Sequence, residues 1–225
     1  MKKICVVIPA FNVEQTISEV ITRVSQFINI AHIIVVDDGS QDQTAAIAKK
    51  TGAIVIRNGV NRGKGYSLKR GFQYAIQIGY HAIITLDGDL QHDPFEITKF
   101  IDCYSQTNAD LILGDRTDDL SNMPLDRQFS NKMTSLIISL LTGQRVRDSQ
   151  TGYRLIKTNV IKKINLASNR YETESELLVK ALLNDYKVIP VSIKTIYNNQ
   201  QSHIHRFVDT LRFVRIVILS LMKKR

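Results

Sequence analysis

Cysteine is almost missing from this chain, and its two copies, Cys5 and Cys103, stand far apart with no paired spacing. That pattern argues against a disulfide framework and a zinc site, and it fits a reducing compartment. Long apolar runs are also missing. No stretch reaches ~18 apolar residues, so no transmembrane helix is expected. The first run, Ile4 to Ile8, is too short for a signal sequence and is followed by Pro9 and Asn12. Internal repeats, low-complexity tracts and an evident linker are lacking. The five histidines include no pair at metal-binding spacing on a helix. Acid is scarce relative to base: 30 Lys and Arg against 21 Asp and Glu give a net charge of +9. Such an excess serves solubility or favours an anionic partner, whether nucleic acid, phosphorylated substrate or acidic membrane.

What is present is an alternation. Strand-like apolar runs occur at Ile4–Ile8, Ile33–Val36, Ala53–Ile56, Ala82–Leu86 and Leu111–Leu113. Between the first two, Ile17, Val20, Ile21, Val24 and Ile28 recur at helical spacing. Asp42–Lys50, Ser67–Ile78 and Pro94–Tyr104 read as further helices. This order predicts a mostly parallel sheet with helices on both faces, and continuous apolar runs suit strands buried on both sides. After about residue 115 the pattern changes. Asp118–Pro124 reads as a loop, Arg127–Leu141 and Tyr171–Asn184 as helices, and Val188–Ile193 as a late strand. Met133, Leu136, Ile137, Leu140 and Leu141 form an apolar stripe that reads as core.

Chemistry gathers at the predicted strand ends. Asp87-Gly88-Asp89 closes the fourth run, where ligands of open α/β sheets collect. Two carboxylates one residue apart can share a hard divalent cation, and that cation can hold a diphosphate. Gln91 adds an amide oxygen, and Asp93-Pro94 signals a helix start. Pro9-Ala10-Phe11-Asn12 follows the first strand, and Asp37-Asp38-Gly39-Ser40 closes the second. The Phe11 ring can stack on a base and Asp38 can accept from a base N–H; equally, Asp-Gly-Ser is good chemistry for a turn or helix cap. Asn61-Arg62-Gly63-Lys64-Gly65 precedes a helix, and Lys64 can meet a phosphate. The GxxxxGK[ST] spacing of a Walker loop is absent.

These four motifs, in this order, resemble family 2 glycosyltransferases, most closely the branch of polyprenyl-phosphate (dolichyl-phosphate) mannosyl- and glucosyltransferases. The resemblance covers about residues 4 to 195. It implies a GT-A (Rossmann-like) fold, a GDP- or UDP-linked sugar donor, a Mg²⁺ or Mn²⁺ ion, and inversion at the anomeric carbon. It places the metal on Asp87, Asp89 and Gln91, and the donor on Pro9, Ala10, Phe11, Asn12, Glu14, Asp38, Lys64, Asp87 and Gly88. Relatives often carry two acids after the Asn; here they are Val13 and Glu14. Asp89, Arg116 and Arg127 stand where the resemblance implies catalytic residues, the arginines to hold donor and acceptor phosphates. Asp148 to Arg154 resembles the family's Asp-x-x-x-Gly-[Phe/Tyr]-[Arg/Lys] segment. Ser202, His203 and Arg206 lie where relatives have a basic loop over the acceptor phosphate.

Glu172 and Glu174 either line the acceptor side or satisfy a helix dipole. The final stretch has Phe207, Leu211, Val214, Ile218 and Leu221 on one helical face with lysines and arginines elsewhere, which suits an anionic membrane surface, or packing. The expected organisation is a catalytic domain over residues 1–200 and a basic amphipathic C-terminal helix over 201–225. The expected activity is transfer of a hexose to a polyprenyl phosphate at the cytosolic membrane face. The protein would be peripheral there, alone or with a membrane partner protein, and would not use nucleic acid. Transfer to a sugar hydroxyl would instead need a base such as Glu172, Glu174 or Asp148. A sugar-1-phosphate nucleotidyltransferase and a silent nucleotide-binding module are further readings.

Overall fold

A computed structural model describes residues 3–118, 120, 123–194 and 196. Seven strands form one sheet: β1 (Ile4–Ala10), β2 (Ile33–Asp37), β3 (Ile54–Arg57), β4 (Ala82–Thr85), β5 (Leu111–Asp115), β6 (Arg154–Lys157) and β7 (Val188–Ser192). Their spatial order is β3-β2-β1-β4-β6-β5-β7. Strand β6 runs antiparallel to both β4 and β5, and the remaining pairings are parallel. Seven α-helices are described: α1 (Ile17–Val24), α2 (Thr44–Thr51), α3 (Lys64–Ile78), α4 (Ile97–Thr107), α5 (Leu125–Thr142), α6 (Thr158–Lys163) and α7 (Glu172–Leu183).

The expected mostly parallel α/β sheet is present, and alternation along the strands explains its two cores. Cys5 and Val7 of β1 face Phe72, Leu177 and Ile138 on the side of α3, α5, α6 and α7. Val6 and Ile8 face Val20, Ala48 and Phe100 on the side of α1, α2 and α4. Strands β1 and β2 are buried on both faces, as continuous apolar runs require.

Two elements escape the periodicity. Strand β6 has four residues with Arg154 and Lys157 at its ends, and α6 has six residues ending in Lys162 and Lys163. Helix α3 begins at Lys64, earlier than the predicted Ser67, because the glycines that resemble a loop start the helix. A Cβ on Gly65 would lie 1.8 Å from Thr173 Oγ1, so only glycine lets α3 press against the start of α7.

The apolar stripe of α5 is a correction. Met133, Leu136, Leu140 and Leu141 are exposed, not core. The helix turns Asn131, Thr134, Ser135 and Ile138 inward instead. Ser149 draws the polar face in: its hydroxyl is 3.0 Å from Thr134 Oγ1 and accepts from Ser135 at 3.0 Å, and its N–H donates to Asn131.

Candidate functional site

The carboxyl ends of β1, β2 and β4 share one edge, which brings the predicted motifs together. Strand β6 contributes from the other direction. Because it runs antiparallel, the residues before it, Asp148 to Tyr153, arrive at that same edge. Thr85 Oγ1 of β4 donates to the Gly152 carbonyl at 2.7 Å and ties the two segments.

Lys64 stands at the centre. Its Nζ is 2.6 Å from Asp87 Oδ1 and 3.2 Å from Glu174 Oε1. A loop end, a strand end and a helix start therefore meet at one ammonium. Burial works to lower the Lys64 pKa, but the two carboxylates outweigh it and hold the pKa above its ordinary value. Burial works to raise that of Asp87, and Lys64, then His92 and more weakly Arg116, hold it down. Burial is what raises Glu174. A Cβ on Gly152 would sit 2.9 Å from Glu174 Oε1, 3.0 Å from Lys64 Nζ and 3.1 Å from Asp87 Oδ2, so this glycine leaves the room in which the three charges meet.

Asp89 lies beside this cluster. Its carboxyl is pushed up to about 6, first by burial and then by Asp87. Its Oδ1 accepts the Gln91 N–H at 3.0 Å, and the Gln91 carbonyl accepts from Ile196. Among the described residues no group of three His, Cys, Asp or Glu side chains gathers to hold a metal. Of the residues expected to hold a metal, Asp87 and Asp89 supply carboxylates whose chemistry suits a hard divalent cation, and Gln91 follows directly beside them. Magnesium binds through one or two carboxylates, with phosphate oxygens and water completing its shell. Two carboxylates that raise one another's cost of ionisation are a suitable place for such a cation.

His92 is buried, and its Nδ1 accepts the Asp87 N–H at 3.1 Å. Burial lowers its pKa to about 4, so it is neutral at pH 7. Its ring packs on Tyr153, which stacks on Phe100 at 4.5 Å between centroids. The turn carrying Asp87 and Asp89 therefore rests on a packed aromatic floor.

The residues expected to meet the nucleotide are more tied down than their spacing indicates. Pro9 and Ala10 are the last two residues of β1 and pair with Val36 and Asp37. Phe11 is partly exposed, as a stacking ring requires. Asn12 takes a left-handed conformation, φ 52°; its N–H donates to Ser40 Oγ and its Oδ1 accepts from Gln41. Glu14 Oε2 accepts the Gln43 N–H and so braces the turn before α2. The Gly88 carbonyl accepts from Thr16 Oγ1. Asp38 is buried; its Oδ1 accepts from Asn58 Nδ2 at 2.7 Å and Arg62 N at 3.0 Å, and its Oδ2 from Gly63 N at 2.8 Å. Asp38 thus pins the loop that delivers Lys64, a role invisible in the turn-like Asp-Gly-Ser.

Arg116 follows β5 and is gripped by Asp148, which accepts from Nε at 2.7 Å and from the second guanidinium nitrogen at 2.9 Å. Burial works to raise the Asp148 pKa, and Arg116 more than offsets it. Arg127 is half-exposed in the first turn of α5. Arg154 closes the Asp148 to Arg154 segment. It is buried and donates to the carbonyls of Thr151, Ser149 and Glu174, fixing the segment around Gly152. Glu172 Oε2 is buried without a hydrogen-bond donor among the described residues. Ser202, His203, Arg206 and the helix expected over 207–225 lie outside the described residues.

Residues 5–164 match the family described as Glycosyl transferase family 2. The chain belongs to this family. It is 34% identical, over 87% of its length and 86% of the relative's, to the UDP-N-acetylglucosamine–dolichyl-phosphate N-acetylglucosaminyltransferase of Methanococcus voltae. It is 29% identical, over 84% and 75%, to the polyprenol monophosphomannose synthase of Mycolicibacterium smegmatis. In fold it is similar to the glucosyl-3-phosphoglycerate synthase of Mycobacterium tuberculosis, solved with Mn²⁺, UDP and glucosyl-3-phosphoglycerate. That similarity has a TM-score of 0.75 at 21% identity and covers 99% of this chain and 80% of the other. The fold is GT-A and the chain is a family 2 glycosyltransferase, which excludes the nucleotidyltransferase reading.

Proposed function

We propose that this glycosyltransferase moves a hexose, or an N-acetylated hexose, from a nucleoside diphosphate to a polyprenyl phosphate at a membrane surface, with inversion. One observation carries the reading. Two of the three carboxylates that could serve as a base for a hydroxyl acceptor are engaged: Asp148 by Arg116, and Glu174 by Lys64, which also pairs with Asp87. Transfer to a phosphate needs no base, because the attacking oxygen is already anionic. That oxygen bonds to the anomeric carbon as the bond from that carbon to the diphosphate breaks. The two relatives whose names specify lipid phosphates support the acceptor class.

Asp87 and Asp89 would hold a Mg²⁺ or Mn²⁺ ion, which supplies charge neutralisation for the departing diphosphate. Lys64 adds a second, permanent positive charge to the same region. Arg116, held in a fixed orientation by Asp148, adds a permanent positive charge for phosphate oxygens. Phe11 offers a face to the base, and Arg127 a charge to the acceptor.

The test is a panel of UDP- and GDP-sugars with Mg²⁺ or Mn²⁺, with and without a short polyprenyl phosphate. One donor should give a glycolipid. EDTA should stop the reaction, and Asp89→Asn should slow it by roughly 100-fold or more, of the order seen when one electrostatic contact to a leaving group is lost. Transfer to a sugar hydroxyl, or full turnover in EDTA, overturns the proposal.

A further inference from the structure

Helix α5 turns three polar residues inward beside Ile138 and leaves an apolar row facing out. The inward face carries Asn131, Thr134 and Ser135, satisfied by Ser149, while the outward face carries Leu125, Phe129, Met133, Leu136 and Leu140. Their steps of four and three residues put them on one line along a helix of 18 residues, about 27 Å long. Leu125 is 81% exposed, Phe129 68% and Leu140 75%. A helix meant to face water has the opposite arrangement. A continuous exposed apolar row of this length marks a surface that meets something apolar.

Its position and its charge say what. The helix begins beyond the Asp115-Arg116 corner at the carboxyl edge of the sheet, and Arg127 is in its first turn. Lys132 on the helix and Arg145 just past its end are exposed cations; Asp126 is the acid in its first turn. The whole chain carries +9. No helix among the described residues is long and apolar enough to cross a membrane. An apolar row flanked by cations, on a strongly basic chain, complements an anionic lipid surface.

We propose that the Leu125–Leu140 face of α5 is the membrane seat of this protein: the helix lies along an anionic phospholipid surface with its leucines and Phe129 among the upper acyl chains. This deepens the polyprenyl-phosphate reading and rests on it for its purpose. Seated so, the corner bearing Arg116 and Arg127 is held near the depth of lipid headgroups, where the phosphate of a lipid-linked acceptor lies.

The chain contains no tryptophan, so a single indole reports its own surroundings. F129W and, as a control at an exposed site on α3, I78W are prepared in the full chain. They are mixed with phosphatidylcholine–phosphatidylglycerol vesicles, with and without brominated acyl chains. F129W fluorescence should shift to the blue and be quenched by the brominated lipid, while I78W is unchanged. The variant L125Q/F129Q/L140Q should keep the wild-type melting temperature, because these side chains are exposed. It should bind vesicles roughly tenfold or more weakly, since transfer of each apolar side chain from water is lost.

Absence of quenching in F129W, or unaltered flotation of the triple variant, overturns the proposal. So does a blue shift already present without lipid. If that shift disappears on dilution, the face is covered by a second copy; if it is independent of concentration, residues 197–225 cover it. Glycosyl transfer to a soluble short-chain polyprenyl phosphate is measured separately and should be the same in the triple variant and the wild type. Quenching of F129W by brominated lipid, together with a wild type that makes no glycolipid, would defeat the acceptor reading and leave the membrane seat standing.

Discussion

The Lys64 ammonium and the Asp87 carboxylate are ion-paired at 2.6 Å, and Glu174 closes the pair from the far side. The side chain expected to meet phosphate and the one expected to meet metal are thus already in contact. A metal held at Asp87 and a diphosphate at Lys64 would bring both signs of charge, so each partner of this pair would exchange its mate without being left unpaired. The arrangement keeps two partly buried carboxylates neutralised between turnovers.

Lys64→Met therefore leaves Asp87 and Glu174 facing one another with no cation between them. The expected loss is about 2–3 kcal/mol, below the usual cost of breaking a fully buried pair because Asp87 retains some contact with water. Added Mn²⁺ should restore part of that loss by binding the freed carboxylates. Melting curves with and without Mn²⁺ check it; a Tm indifferent to both the substitution and the ion would show that the pair contributes nothing.

Asp38→Ala separates two roles. Three hydrogen bonds to one carboxylate hold Asn58, Arg62 and Gly63. Losing them should cost about 2–4 kcal/mol, given ~1.5–3 kcal/mol for a bond to a charged group and partial replacement by water. Donor KM should rise as well, because the loop places Lys64. Urea unfolding decides the matter: a raised KM with unchanged stability would mean that Asp38 contacts the donor and does not brace the loop.

Much of this was legible in the sequence because apolar runs buried on both faces leave an unambiguous trace. The parallel part of the sheet, its helices and the strand-end carboxylates follow from it. Strand β6 left little trace, since four residues bounded by Arg154 and Lys157 have no period to read. With it went the reason why Gly152 and Arg154 belong at the site. Helix α5 had a clear stripe, but a stripe says which residues share a face and not which way the face points. Ser149, in the segment past the helix end, decides that direction. Likewise the Asp38 turn and the Gly63-Lys64-Gly65 loop look self-contained in the sequence, whereas their partners, Asn58 and Thr173, come from other elements.

Gly152→Ala probes the room among the charges. The added methyl would lie 2.9–3.1 Å from side-chain atoms of Glu174, Lys64 and Asp87. Long side chains such as Lys64 and Glu174 can move aside, so the fold should survive with a loss of about 1–3 kcal/mol, the usual range for overpacking. The charges would be displaced, and a shift near 1 Å in a positioned group can lower turnover by about 100-fold. Circular dichroism together with steady-state kinetics tests this; wild-type kcat in a folded variant would mean that the three groups need not meet there.

The Arg116–Asp148 pair gives a pH-dependent prediction. Against burial, Arg116 holds the Asp148 carboxyl below its ordinary value, so the folded state binds that proton less readily than the unfolded chain. The stabilisation is then complete above the unfolded carboxylate pKa of about 4, and it fades as pH falls through the lower folded value. Asp148→Asn removes the charge and should cost about 2 kcal/mol near neutral pH, where one buried charged partner is lost but the side chain can still bond to Arg116. The gap between wild type and variant should stay constant from about pH 7 to about pH 5 and narrow below about pH 4. Urea unfolding at those three conditions measures it. Turnover should fall too, because Arg116 loses the carboxylate that fixes its orientation, and Asp148→Glu should recover part of it. A gap that widens in acid would show that Asp148 is not held ionised by Arg116, and its assignment as the residue that positions this arginine would fail.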